Sequence, residues 1–291
     1  MNVQLRDLAA RQSDLVASWQ LLAAGWSRDR INHHRSAGSW RSVHRGVYVL
    51  SHGPLTRHQR WLAATLTAPG TFLSLSSAGA KYGFRSFDRA VEMVTRHGSG
   101  GRKRVGNVLV CRSTTLAGHT TVVDGIPITT AERTLIDLAP HLHDKAIKRA
   151  FREALRLKTT TARRIAAALT DLQRPRGTAL LGELATRYAD IPYARTRSDA
   201  EGLALEQLHD AGAQRPSVNV KVGGEEADLV FHETKTIVGI DGPQYHRFPG
   251  DDARKDAAWG RAGYVVRRVS SDGVYESPEE LLARASYPAR P

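Results

Sequence analysis

Apolar residues recur along this chain with helical and strand periods in turn, and the changes of period mark its elements. Leu5 and Leu8 share one face of a helix predicted over 3–10. A second helix is predicted over 15–24, stopping at Gly25, which suits the left-handed position after a helix. Ser27 can cap a third helix that runs through Ala37 and is closed by Gly38. Residues 40–50 read as two short strands turning near 44–46. Three helices and a hairpin predict a winged helix-turn-helix over 1–52.

Residues 53–192 read as a mixed α/β domain with a helical tail. Helices are predicted over 56–67, with Trp61 and Leu62 inward, and over 76–82. Strands are predicted over 91–95 and 105–112, split by a glycine-basic stretch at 98–104 that reads as a hairpin tip. A turn and strand at 124–128 precede Thr129 and Glu132, which form a capping box for a helix through Ala139. Basic and apolar positions alternate helically over 145–157, with Ile147, Phe151 and Leu155 on one face. Further helices are predicted over 161–169 and 179–188. Trp19, Trp26 and Trp61 fall on apolar faces, and Cys111 reads as a small core residue.

The last domain, 193–291, opens with a helix at Ser198-Asp199-Ala200-Glu201. A Gly223-Gly224 turn joins strands 218–222 and 227–231. The apolar strand 236–240 ends at Asp241, and a short helix holding Arg254-Lys255-Asp256 precedes a strand over 264–267. The boundary before this domain is placed near 190–197, where proline interrupts the helices.

Composition narrows the function. The chain has 291 residues and one cysteine, which excludes intrachain disulfides and thiolate zinc sites. No segment reads as a signal peptide or a bilayer span, so a cytoplasmic, nucleoid-associated protein is expected. Net charge is +13 and uneven. Residues 1–190 hold 29 Lys and Arg against 13 Asp and Glu, whereas 191–291 hold 13 against 16. A basic arm beside a slightly acidic module points to a polyanion, with double-stranded DNA the expected partner. Its contacts are expected from Arg28, Arg30, Asn32, His33 and Arg35 of the third helix and from Arg41 and Arg45 of the hairpin. The alternative is a solvated basic helix face.

The acidic residues of the last domain carry the candidate chemistry. Asp228 and Asp241 lie on strands, where a carboxylate loses solvation unless something pairs with it. Adjacent strands can bring both within reach of one Mg²⁺ or Mn²⁺. His246 follows on a Gly-Pro turn and can act as general base or phosphate contact, with Arg254 and Lys255 for a phosphate. Each has a structural reading too: Ser198-x-x-Glu201 is a capping box, Asp241-Gly242 is a turn, and Asp256 complements a helix dipole.

Two resemblances are carried by particular residues. Residues 5–12, Trp40–Leu50 with Arg45-Gly46-Val47-Tyr48, Ser76-Ser77-Ala78 with Tyr82-Gly83, and Gly125-Ile126-Pro127-Ile128-Thr129 with Arg133-Thr134-Leu135-Ile136-Asp137-Leu138 resemble AbiEi-type antitoxins. That resemblance implies a DNA-binding winged helix, an antitoxin domain and a nucleotidyltransferase toxin as partner. Residues 198–285 resemble restriction-endonuclease-like domains related to the very-short-patch repair endonuclease. The motif order is Glu201, Asp228, Asp241-Gly242 with His246, Arg254 with Asp256, and the strand from Tyr264. It implies a PD-(D/E)xK-like fold, catalytic roles for Glu201, Asp228, Asp241, His246 and Asp256, and the Ile240 carbonyl as a metal ligand beside Asp228 and Asp241. Gly239 stands where many such relatives have Glu, and Asp241 stands where a catalytic lysine would sit.

The expected protein is thus an α/β multidomain chain: winged helix, AbiEi-like middle domain and endonuclease-like domain. It would cut DNA in phage defence or repair with Mg²⁺ or Mn²⁺, with a homodimer among its allowed states. The alternative is a non-catalytic antitoxin or repressor carrying a degenerate nuclease domain.

Overall fold

The computed structural model describes residues 3–84, 91–189, 191, 193–242 and 249–285, and among them the chain is mixed α/β with three sheets. It forms two compact units, Met1–Phe151 with Arg164–Glu183, and Arg152–Arg163 with Leu184–Pro291. No helix among the described residues is long and apolar enough to cross a membrane.

The first unit opens with α1 (Val3–Arg11), β1 (Leu15–Ala17), α2 (Ser18–Ala23), α3 (Arg28–Ser36), β2 (Arg41–His44) and β3 (Val47–Val49). The helix expected over 15–24 is instead a strand followed by a short helix. Ser13 and Asp14 both adopt positive φ and break the chain before Leu15. Leu15–Ala17 then pairs antiparallel with Val47–Val49, and all six residues are buried. Alternation explains this. Leu15, Ala17, Val47 and Val49 face one core with Trp61 and Leu62. Val16 and Tyr48 face another with Leu5, Leu21, Trp26, Ile31 and Trp40. A strand buried on both faces reads as a plain apolar run, which periodicity cannot separate from a helix. Ser27 caps α3 as expected, accepting the Arg30 N–H at 3.1 Å.

Next come α4 (Arg57–Thr65), β4 (Thr71–Leu73), α5 (Leu75–Lys81), β5 (Glu92–His97), β6 (Lys103–Val105), β7 (Val108–Ser113), β8 (Thr120–Val123), β9 (Ile126–Thr129) and α6 (Ala131–Leu138). The six strands form one sheet in the order β6-β7-β5-β4-β9-β8. The strand expected over 105–112 is broken at Gly106, whose φ is +60, into the antiparallel pair β6 and β7. Because β5 and β7 run parallel, the glycine-basic stretch is a crossover rather than a hairpin tip. The α6 cap also differs by one residue. Thr130 accepts the Arg133 N–H, while the Thr129 hydroxyl ends β9 and bonds Thr134 Oγ1 at 2.8 Å. Trp26 and Trp61 are core, but Trp19 is 36% exposed and anchored by its Nε1–H on the Leu66 carbonyl. α7 (Asp144–Arg156), α8 (Ala162–Asp171) and α9 (Ala179–Arg187) follow.

The second unit contains α10 (Asp199–Asp210), β10 (Ser217–Val222), β11 (Glu225–Phe231), β12 (Thr236–Asp241), α11 (Pro249–Arg261), β13 (Val265–Ser270), α12 (Ser271–Glu276) and α13 (Pro278–Arg284). Its sheet runs β10-β11-β12-β13, with β12 and β13 parallel and the other pairs antiparallel. α11 makes the connection that a parallel pair requires. Both faces are covered. Leu205 and Leu208 of α10 pack with Leu229, Phe231, Val238, Val269 and Leu281 in one core. Val222, Ala227, Val230 and Ile237 pack with Trp259 of α11 in the other.

The β10–β11 turn needs positive φ at Gly223 and Gly224. A Cβ at Gly223 would also lie 2.7 Å from the Ala258 carbonyl oxygen, whereas at Gly224 it would meet nothing within 4 Å. Gly223→Ala is therefore expected to cost about 2–4 kcal/mol, against about 1 for Gly224→Ala. Urea unfolding of the two variants compares them; equal losses would show that backbone conformation alone sets the cost.

Candidate functional site

Asp228 is placed by the β11–β12 register. Leu229 pairs with Val238, which carries Asp228 to the position opposite Gly239. There the carboxylate replaces a strand partner: Oδ2 accepts the Ile240 N–H at 2.8 Å. Burial pushes the Asp228 carboxyl up to about 6, with Glu201 and Asp241 adding to it and the Ile240 N–H and Lys255 opposing. The charges of Glu201, Asp241 and Lys255 thus all act on Asp228.

Asp241 ends β12 and is bound by a residue that sequence reasoning missed. The parallel register sets Arg268 of β13 beside Gly239. Its guanidinium donates to Asp241 Oδ1 at 2.8 Å and to Asp256 Oδ1 at 2.6 Å, with Asp252 at 4.0 Å. Burial alone would lower the Arg268 pKa, but Asp256 and Asp241 reverse that. Burial also pushes the Asp241 carboxyl up, against the pull of Arg268. The available signal was the paired arginine Arg267-Arg268 in a strand whose other residues are three valines and Ser270. A Cβ at Gly239 would touch the Arg268 Cγ and Nη1 at an ordinary 3.7 Å, so space does not impose glycine there.

Ser198 caps α10: its Oγ accepts the Glu201 N–H and donates to Glu201 Oε1, each at 3.1 Å. The expected capping box is left incomplete, because the Glu201 carboxylate bonds the residue before the cap instead of the Ser198 N–H. Glu201 Oε2 accepts the Arg197 N–H and the Asn219 side-chain amide, each at 2.8 Å. Asn219, at positive φ, also donates to the Arg195 carbonyl. The Asn219 Oδ1 is buried without a hydrogen-bond partner among the described residues. The flanking pairs Val218–Leu229 and Val220–Ala227 set Asn219 across from Asp228. Of the α11 cations, Arg254 pairs with Glu225 and Lys255 is half-buried. His246 lies outside the described residues.

Among the described residues, no three His, Cys, Asp or Glu side chains are grouped to hold a metal ion. Mg²⁺ asks less of a protein: oxygen ligands, one or two carboxylates, and retained waters. Asp228 Oδ1, which accepts no hydrogen bond among the described residues, the Glu201 carboxylate, the Ile240 carbonyl and Asn219 Oδ1 are oxygens of the chemistry such an ion takes. Asp241 and Asp256 instead share a guanidinium. Comparison with family models and with curated proteins returns no match.

In the first unit, the buried Ile31 anchors α3 and leaves Arg28, Asn32 and Arg35 exposed at i, i+4 and i+7. His33 is exposed on a neighbouring face. Arg30 is committed to Trp26, its guanidinium carbon 3.8 Å from the ring centroid. His34 stacks on Trp40 at 4.4 Å. Arg41 donates to the Gly53 carbonyl, and Arg45 is exposed at the hairpin turn. Burial pushes the Cys111 thiol up, which suits a core residue and not a nucleophile.

Asp228 sets a pH dependence. Its folded pKa, about 6, exceeds the ordinary carboxylate value, so the fold favours the neutral form. The penalty for ionising it is absent below pH about 4 and complete above about 6, so stability from this group falls as pH rises through that window. Asp228→Asn is expected to be more stable than wild type at pH 7–8 by about 1–3 kcal/mol, and the two should converge below pH about 4. Urea midpoints between pH 3.5 and 8 test this. Parallel profiles would mean that Asp228 titrates as an ordinary exposed carboxylate.

Proposed function

We propose that this chain is a DNA-binding protein whose second unit is a restriction-endonuclease-like domain, similar to the very-short-patch repair endonuclease, that hydrolyses DNA phosphodiesters with Mg²⁺ or Mn²⁺. The observation that carries this reading is Asp228: a carboxylate tethered to the neighbouring strand's N–H, its pKa raised to about 6 by burial and by Glu201 and Asp241. Acidic groups held this way are compensated when a cation binds among them. A bound Mg²⁺ supplies an activated water and neutralises charge developing on phosphate. Asp228 and Glu201 would hold it, with the Ile240 carbonyl and Asn219 Oδ1 as further oxygens. The Ile240 N–H fixes the Asp228 rotamer, and Lys255, whose charge already acts on Asp228, would hold an adjacent phosphate. His246 would serve as general base or phosphate contact. Asp241 and Asp256 would position Arg268 as a fixed positive charge rather than bind metal.

In the same reading, the first unit holds a winged helix and an AbiEi-like domain, and Arg28, Asn32 and Arg35 read the DNA. A second reading is favoured by one observation: Arg268 occupies Asp241, an expected metal ligand, and Asp256, an expected catalytic acid, beside the side-chain-free Gly239. On that reading the chain is a non-catalytic, antitoxin-like repressor with a nucleotidyltransferase partner.

Supercoiled plasmid incubated with Mg²⁺ or Mn²⁺ is expected to be nicked or linearised by wild type, with Asp228→Ala at least about 100-fold slower. Equal cutting by both removes Asp228 from the catalytic site, and no cutting with either metal favours the repressor. Independently, Arg28→Ala with Arg35→Ala is expected to weaken DNA binding and to flatten its log–log salt dependence by about 2. An unchanged salt slope would remove α3 from the DNA interface.

A further inference from the structure

The net charge of each folded unit differs from that of the sequence halves. The second unit includes 152–163, and counted with that segment it holds 18 Lys and Arg and 18 Asp and Glu; the remainder holds 24 against 11. Part of the basic excess assigned by position to the first half therefore folds with the carboxylate site. Within this unit it lines a cleft of about 530 Å³ whose walls include Arg156, Lys158, Arg195, Arg197, Asn219 and Glu226.

The cleft keeps positive charge after its internal pairs are satisfied. Arg156 is held by Glu153 through two hydrogen bonds, at 2.7 and 2.9 Å, and reaches the Arg197 carbonyl at 3.3 Å. Arg197 pairs with Glu226. Lys158 and Arg195 are exposed and make no ion pair among the described residues. The Arg195 carbonyl accepts from Asn219, whose same amide donates to Glu201. One residue thus forms a wall of the basic cleft and lies across the sheet from Asp228.

We propose that this cleft binds the phosphodiester backbone of the DNA strand presented to Asp228, with Lys158 and Arg195 making the phosphate contacts and Arg156 and Arg197 fixing the local field. The proposal rests on the DNA-directed reading of the second unit. It adds that the unit grips its substrate itself instead of relying wholly on α3. Two unpaired cations lining one cleft suit backbone phosphates, which a strand offers at regular spacing, and such contacts carry no sequence information.

The test uses the full chain, a fluorescein-labelled 30-base-pair duplex and the double variant Lys158→Gln, Arg195→Gln, whose exposed side chains leave the cores intact. Loss of about two phosphate contacts should lower the log–log salt slope by about 1.8 and the affinity about tenfold or more at low salt. The loss should be the same for unrelated duplex sequences. Wild-type binding with an unaltered slope in the double variant overturns the proposal while leaving DNA binding by the chain intact. No binding by wild type overturns both. Weakened binding in the variant, together with a wild type that binds but does not cut, retains the cleft and removes the catalytic reading alone.

Discussion

Several carboxylates meet at one end of an apolar sheet, and the second unit is arranged around keeping them there. Asp228 is stabilised by a backbone N–H, by Lys255 and by partial neutralisation. Asp241 is stabilised by Arg268, which also takes Asp256 from α11. The guanidinium therefore joins the end of β12, the helix that follows it and β13, the three elements of the parallel crossover. Removing such a cation would leave partly buried charges without compensation, which is far more costly than never placing them. Gly239 fits this arrangement: a carboxylate there would add to the same cluster, next to a guanidinium that already serves two acids.

In the first unit the equivalent constraint is apolar. β1 and β3 are buried on both faces because a three-stranded sheet separates the core of α1–α3 from the core under α4 and the six-stranded sheet. The exposed row on α3 depends on this, since Ile31, Trp26 and Trp40 hold the helix by its other face. The contrast within α3 is instructive. Arg28 and Arg35 remain exposed without an aromatic partner in the cation–π contacts, whereas Arg30 lies on Trp26, where stacking rather than solvent sets its geometry.

Much of the local structure was legible. The Gly223-Gly224 turn, the Ser27 and Ser198 caps, the Asp124-Gly125 turn with both φ positive, and α3 all lie where short-range chemistry puts them. The misses have different causes. Leu15–Ala17 is a strand and not part of a helix because the long-range partner β3 pairs with it. The strand expected over 105–112 is split by the local turn at Gly106, and the α6 cap falls on Thr130 because Thr129 belongs to β9 and bonds Thr134. For the site, the sequence names Asp228, Asp241 and Glu201 together, and the charges of the other two act on Asp228 in the fold, but their unequal engagement was not legible. Arg268 lies 27 residues from Asp241, and no motif spacing links them.

The sequence by itself determined the acidic set, the cationic face of α3, the turns and the overall excess of arginine, because each depends on residue identity and near neighbours. The tertiary structure alone decided which acids are neutralised, which arginines remain exposed, and that 152–163 adds its charge to the carboxylate unit. The physical reason is that pairing and desolvation act over a few ångströms in space, and strand register and crossover connections set those distances independently of separation along the chain.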